Sequence, residues 1–313
     1  MGTRRATWVG LITSALAVVA GACGSQGGRP GSVGAPGPSP SATASVTVEP
    51  SRVPPERLTD LVAYDRRRPL DVTTRRTTSQ PKAGVVVTDL TFDGGSGQPV
   101  EAYLIAPLRP PGRTLAGVVF AHGAGRDRSR FLEEAKTLAR GGALALLPTV
   151  PMNMSGNAAD DITAIGRAVI AQRRALDVLA ARPDVDRRRL AFVGHSWGAV
   201  LGSVLAGADQ RLAAVVIASF TKPVSKYFGS TKQYRDEIAV FDQHRWLAMR
   251  GDRRVLLQAG RLDGWHPVDA TDALYTAIAG AKQRLDYDLG HDLVEADEPV
   301  EDRREFLTQV LGL

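Results

Sequence analysis

The sequence predicts an α/β protein: a doubly wound, mostly parallel sheet of about eight strands, with an N-terminal hairpin and a short cap. Three observations predict it. Short apolar runs of strand length recur along the chain, they alternate with longer stretches of helical spacing, and their residues are apolar at successive positions. Consecutive apolar positions mark strands covered on both faces, as crossover helices cover a parallel sheet. Alternation of strand and helix then implies right-handed βαβ units.

Residues 1–22 read as an export signal. Arg4 and Arg5 supply the positive start, and the apolar run Trp8 to Ala20 follows. Such a run spans ~20 Å as a helix, short of the ~30 Å of a bilayer core. Ala20-Gly21-Ala22 offers small residues for cleavage immediately before Cys23, the chain's single Cys. The segment resembles a bacterial lipoprotein signal, which implies acylation of Cys23 and attachment to a membrane. Ala20 stands where that pattern usually has Leu, and Ala20-x-Ala22 also suits ordinary secretion, so both routes stay open. Residues 23–55 form a linker, in which Gly, Ser and Pro make up 19 of the 32 positions from Gly24 to Pro55. No apolar period survives there to bury a core.

Residues 56–313 form the folded domain. Val85 to Phe92 and Val100 to Ile105 flank Gly94-Gly95-Ser96-Gly97, which reads as a hairpin. The parallel strands are expected at Val118 to Ala121, Leu144 to Leu147, Leu190 to Val193, Ala213 to Ala218 and Val255 to Leu257. Leu285 to Leu289 alternates polar and apolar, as an edge strand does. Helical spacing covers Ser129 to Arg140, Asp160 to Ala181 and Trp197 to Ala208. Residues 221–254 interrupt the rhythm and read as a cap too small for a second domain.

Charge and cysteine usage narrow the function. The net charge is +6, but the cations are scattered and overwhelmingly Arg, without interleaved aromatics, so no nucleic-acid surface is expected. One Cys excludes an internal disulfide framework and a Cys-based zinc site. No paired-Cys or His-rich ligand set and no phosphate-binding G-x-x-x-x-G-K-[ST] calls for a metal or an organic cofactor.

Gly194-His195-Ser196-Trp197-Gly198 carries the most chemistry. It follows an apolar strand and opens a helix, the context a G-x-S-x-G nucleophile elbow requires. So sharp a reversal strains the central residue and leaves no room for a Cβ at the flanking positions. Ser196 is thereby presented at a helix N-terminus, where developing negative charge is favoured. His195 is adjacent to Ser196 and reads as packing beneath it rather than as a base.

At these residues the chain resembles the α/β-hydrolase superfamily over nearly all of 82–313, and within it dienelactone-hydrolase-like and acetyl-xylan-esterase-like members. Dienelactone hydrolases use Cys where this chain has Ser196. The resemblance implies a Ser–acid–His order, with Asp263 as acid and His291 of Gly290-His291-Asp292 as base. It also implies an oxyanion hole made by the backbone N–H groups of Ala124, in His122-Gly123-Ala124-Gly125, and of Trp197. His122 is expected to brace its loop. Pro148 to Asn157 leaves a strand at its carboxyl end, so Met152, Asn153 and Met154 are candidates to border a substrate pocket; an ordinary surface loop with buried Met fits equally. Together these readings point to a serine esterase acting on a small-molecule ester of small or medium acyl group. An amidase or peptidase, or a non-catalytic envelope lipoprotein on the same fold, are the other readings.

Overall fold

The computed structural model describes residues 55–109, 112–249 and 251–313. The export segment, Cys23 and the linker up to residue 54 lie outside these residues. The antiparallel side of the sheet is β1 (Thr73–Gln80), β2 (Val85–Asp93) and β3 (Pro99–Pro107). The predicted hairpin is β2–β3, paired from Val85↔Pro107 to Asp93↔Pro99. The parallel side is β4 (Leu115–Ala121), β5 (Ala143–Pro148), β6 (Val185–His195), β7 (Leu212–Ala218), β8 (Arg254–Gly260) and β9 (Lys282–Tyr287). The order is β1-β2-β3-β5-β4-β6-β7-β8-β9, with β3 joined antiparallel to β5. The sheet has nine strands where about eight are expected. The addition is β1, whose exposed Thr- and Arg-rich sequence carries no apolar pattern and gains its order by pairing with β2.

The short N-terminal helix α1 (Pro55–Leu58) precedes the sheet. Helices α2 (Leu132–Arg140), α3 (Ala158–Ala180) and α4 (Trp197–Ala208) match the predicted stretches to within a few residues. The cap holds α5 (Val224–Phe228), α6 (Lys232–Ile238) and α7 (Gln243–Leu247). Last come α8 (Val268–Ala277) and α9 (Asp297–Leu311).

Alternate residues of the central strands feed two cores. Val119 and Ala121 of β4, Leu190 and Phe192 of β6, and Val215 and Ile217 of β7 pack with α3 and α4. Val118, Phe120, Ala191, Val193, Ala214 and Val216 pack with α2 and α9 on the opposite face. Every one of these side chains is buried, which is why the strands read as unbroken apolar runs. A polar network lies within the second layer. Arg303 of α9, fully buried, pairs with Glu134 of α2 at 2.8 Å and donates to Gln258 of β8 at 2.8 Å and to the Leu293 carbonyl at 3.3 Å. It thus clamps the segment that follows β9 to the sheet.

Candidate active site

Strand β6 ends at His195 and α4 begins at Trp197, leaving Ser196 between them at φ 53°, ψ −116°. A non-glycine residue in that region costs on the order of 1–3 kcal/mol and persists only where its surroundings fix it. Here the Ser196 N–H donates to the Ala218 carbonyl of β7 at 2.8 Å, and the Ser196 carbonyl accepts from Ala199 at 2.9 Å. Tight packing enforces the turn. A Cβ at Gly194 would sit 2.2 Å from the Gly198 carbonyl oxygen, and one at Gly198 would sit 2.0 Å from that of Ala121. No side chain fits at either position.

Two loops at the carboxyl ends of β8 and β9 meet over Ser196. They are laced by backbone bonds, Arg261 N–H to the Tyr287 carbonyl at 2.8 Å and Leu262 N–H to the Leu289 carbonyl at 3.0 Å. That lacing sets Asp263 beside His291. The Asp263 Oδ2 lies 2.7 Å from His291 Nδ1, and His291 Nε2 lies 2.8 Å from Ser196 Oγ. Asp263 is buried, and its second oxygen accepts the Trp265 N–H at 2.9 Å. Burial by itself would raise the Asp263 pKa; the hydrogen bonds from His291 and the Trp265 N–H outweigh it and hold the carboxyl below its ordinary value. Other carboxylates near the loops are engaged elsewhere. Asp272 and Asp286 pair with Arg284, Asp288 with Arg261, and Asp292 with Arg130 and Arg126.

The loop after β4 lies against the elbow, since a Cβ on Gly123 would fall 3.0 Å from that of Ser196. His122 is buried there, its Nδ1–H donating to the Gly123 carbonyl at 2.8 Å and its Nε2 accepting the Val150 N–H at 2.9 Å. It is the loop brace expected. Burial lowers its pKa, which suits the neutral tautomer these bonds require. Neither the Ala124 nor the Trp197 N–H has an acceptor among the described residues. The Trp197 indole is buried and donates to the Pro151 carbonyl at 3.2 Å, tying the elbow to the segment after β5. In that segment Met152 and Met154 pack half-buried on the core, while Asn153 lines a groove of about 520 Å³ with Glu101 and Arg167. A second cavity, of about 190 Å³, lies between the cap and α8 and is lined by Lys222, Lys226, His244 and Leu274. Ser196, Asp263 and His291 line neither.

His195 packs beneath the site as expected, with a partner the sequence did not reveal. Its Nε2–H donates to the His291 carbonyl at 2.9 Å. Three further rings gather around His291. Trp265 meets the His291 ring edge-on at 4.7 Å, His266 stacks on it at 5.4 Å, and Tyr227 of α5 stacks on His266 at 5.3 Å. Burial pushes both His195 and His266 down to about 4, so each is neutral near pH 7. Asp263, His266 and His291 each offer a metal-binding atom within 4.8 Å of the others. Two of those groups are already hydrogen-bonded to each other, and His291 also to Ser196. Chemically, the arrangement can withdraw the Ser196 proton through an imidazole whose second nitrogen is held by a carboxylate.

Residues 118–310 match the family model described as Alpha/beta hydrolase family. The chain belongs to the alpha/beta hydrolase family. It is a hydrolase. Among solved structures, the acetyl xylan esterase from Paenibacillus sp. R4 is similar, with a TM-score of 0.67 and 20% identity over 82% of this chain and 92% of that one. Acetyl xylan esterase 1 from Thermoanaerobacterium sp. JW/SL YS485 gives 0.67 at 17% identity, covering 82% and 92%. A glucuronoyl esterase from Solibacter usitatus gives 0.60 at 11%, covering 81% and 91%. At such identities the likeness to this hydrolase is one of fold. No curated protein matches the sequence.

Proposed function

We propose that the protein is a serine esterase that cleaves carboxylic esters of small or medium acyl group through a covalent acyl-enzyme. The observation that carries this reading is the unbroken chain Ser196 Oγ, His291 Nε2, His291 Nδ1, Asp263 Oδ2, with steps of 2.8 and 2.7 Å across the ring. Ser196 attacks the ester carbonyl as His291 Nε2 takes its proton, and Asp263 holds the imidazole and stabilises the imidazolium. The carbonyl oxygen becomes an oxyanion, received by the Ala124 and Trp197 N–H groups. Collapse breaks the bond to the alcohol, and His291 returns its proton to the leaving oxygen. Water, activated by the same His291, then releases the acid and restores Ser196.

Esterase names among the structural neighbours support ester over amide. The short helices of the cap, none longer than seven residues, offer little surface for a long acyl chain. Met152, Asn153 and Met154 remain the proposed border of the substrate pocket, joined to the elbow through Pro151 and Trp197. A serine-reactive fluorophosphonate should label the wild type at Ser196 and leave Ser196→Ala unlabelled. Label on neither protein overturns the catalytic reading, and preferential turnover of long-chain esters overturns the acyl-size reading.

We further propose export and lipid attachment at Cys23 to the outer face of a bacterial cell membrane, on the signal pattern alone. Cys23→Ala should move the protein out of the membrane fraction with its activity kept. Retention in that fraction would reject lipidation.

A further inference from the structure

Five large apolar side chains are exposed among the described residues, and four of them, Leu262, Trp265, Val268 and Tyr227, lie on the loop that carries Asp263, at the start of α8 and on the cap helix facing them. Leu262 is 70% exposed and Trp265 58%. Ring contacts connect this rim to His291, directly from Trp265 at 4.7 Å and from Tyr227 by way of His266. Only Val72, on the segment before β1, stands apart. Open apolar surface gathered at one site marks recognition.

The mechanism says which half of the substrate meets it. His291 Nε2 must come within about 3 Å of the leaving oxygen to protonate it. The carbon skeleton of the alcohol therefore begins one bond beyond that oxygen, near whatever flanks the His291 ring. Trp265 flanks it, with most of its indole free. The four rim side chains themselves offer only the Tyr227 hydroxyl and the Trp265 indole N–H, and the exposed Arg261 beside them is bound to Asp288. The neighbouring carboxylates, Asp288 and Asp292, are already paired with arginines. A hydroxyl-rich alcohol would leave its own polar groups without partners on burial, which is costly. A flat apolar alcohol would instead cover exposed indole and aliphatic surface, and removing that surface from water favours binding.

We infer that the alcohol half of the substrate is aromatic, an aryl or arylmethyl alcohol, and that Trp265 determines this specificity. The inference rests on the serine esterase reading above.

Benzyl acetate and methyl acetate test it, because they share the acyl group and release alcohols of similar acidity. The wild type should prefer benzyl acetate in kcat/KM by roughly tenfold or more, the scale on which apolar pockets discriminate. In Trp265→Ala that preference should shrink at least fivefold, mainly through KM for benzyl acetate, and Trp265→Phe should keep most of it. Val72→Ala should leave the ratio as it is. An unchanged ratio in Trp265→Ala overturns the inference, as does faster turnover of an acetylated methyl xyloside than of benzyl acetate. Protein that hydrolyses none of these esters and takes no fluorophosphonate label fails at the catalytic reading instead. Labelled protein indifferent to Trp265 fails at this inference alone.

Discussion

The two walls around Ser196 are built in opposite ways. On one side, the elbow, the first residues after β4 and Val150 after β5 are buried, and side-chain hydrogen bonds tie them to each other. His122 bridges Gly123 and Val150, Trp197 holds Pro151, and Ser196 is pinned to Ala218. On the other side, the loops after β8 and β9 fix Asp263 and His291 with two backbone bonds but turn Leu262 and Trp265 to solvent. The proposed mechanism accounts for the difference. Groups that receive developing charge work only if held within fractions of an ångström before the charge appears. Groups that greet the alcohol need surface, and leaving that surface open costs the fold little.

The deepest break in the second wall is Asp263→Asn. It keeps the shape of the side chain but loses the charge that stabilises imidazolium. By analogy with serine-hydrolase triads, turnover should fall by ~10⁴ with the fold intact by circular dichroism. Asp269→Asn and Asp272→Asn should cost far less, since Asp269 is exposed and Asp272 belongs to Arg284. Near-normal turnover in Asp263→Asn would reject the assignment.

That assignment was legible because Asp263 leaves the end of an apolar strand, and loops at strand ends of parallel sheets carry ligands and catalytic groups. The G-x-S-x-G elbow and His291 were legible for the same reason. Other features had no local signal. The bond from His195 to the His291 carbonyl joins residues 96 apart, and the Arg303–Glu134 pair spans 169. Trp265 and His266 looked like ordinary loop residues, since only the meeting of the β8 and β9 loops brings them to His291. Strand β1 was invisible because an edge strand with exposed Thr and Arg needs no apolar face. The helix boundaries of the cap had no periodicity long enough to read.

The clamp under the second wall gives the next effect. Arg303→Met leaves Glu134 buried and unpaired, and breaking a buried pair from one side costs about 3–5 kcal/mol. Urea unfolding should report that loss, with Arg304→Met, a surface control, within about 0.5 kcal/mol of wild type. Loss at both positions to the same degree would deny the clamp.

On the first wall, His122→Ala removes the acceptor of the Val150 N–H and the donor to the Gly123 carbonyl. Leaving a buried group unsatisfied costs about 1–3 kcal/mol, less if water enters. The two walls should part here. His122→Ala should lower kcat for methyl and benzyl acetate by the same factor, because the oxyanion site proposed at the Ala124 N–H would serve every substrate alike. A change in the benzyl-to-methyl ratio would mean that the walls are not separable.

The smallest effect is on the pH dependence of stability, where both walls contribute with one sign and the cap with two. Burial lowers His195, His266 and His244 from 6.5 to about 4. Between those values the unfolded chain binds more protons than the folded one, so their contribution is present above about pH 6.5 and is lost as pH falls towards 4. Asp242 acts in the opposite sense. Burial raises it from 3.8 to about 6, despite the hydrogen bonds from Ser225, so the folded state binds more protons there and gains stability as pH falls through 6. Three histidines outweigh one carboxylate, and the unfolding midpoint should drop between pH 7 and pH 4.5. His266→Phe removes one of the three and keeps an aromatic ring in the stack. It should flatten the dependence by at most about 1.4 kcal/mol per pH unit, the limit for one titrating group. Because Asp242 lies in the cap, Asp242→Asn should steepen the loss below pH 6. A midpoint that rises on acidification, or a slope untouched by His266→Phe, would show that these buried rings do not control acid stability.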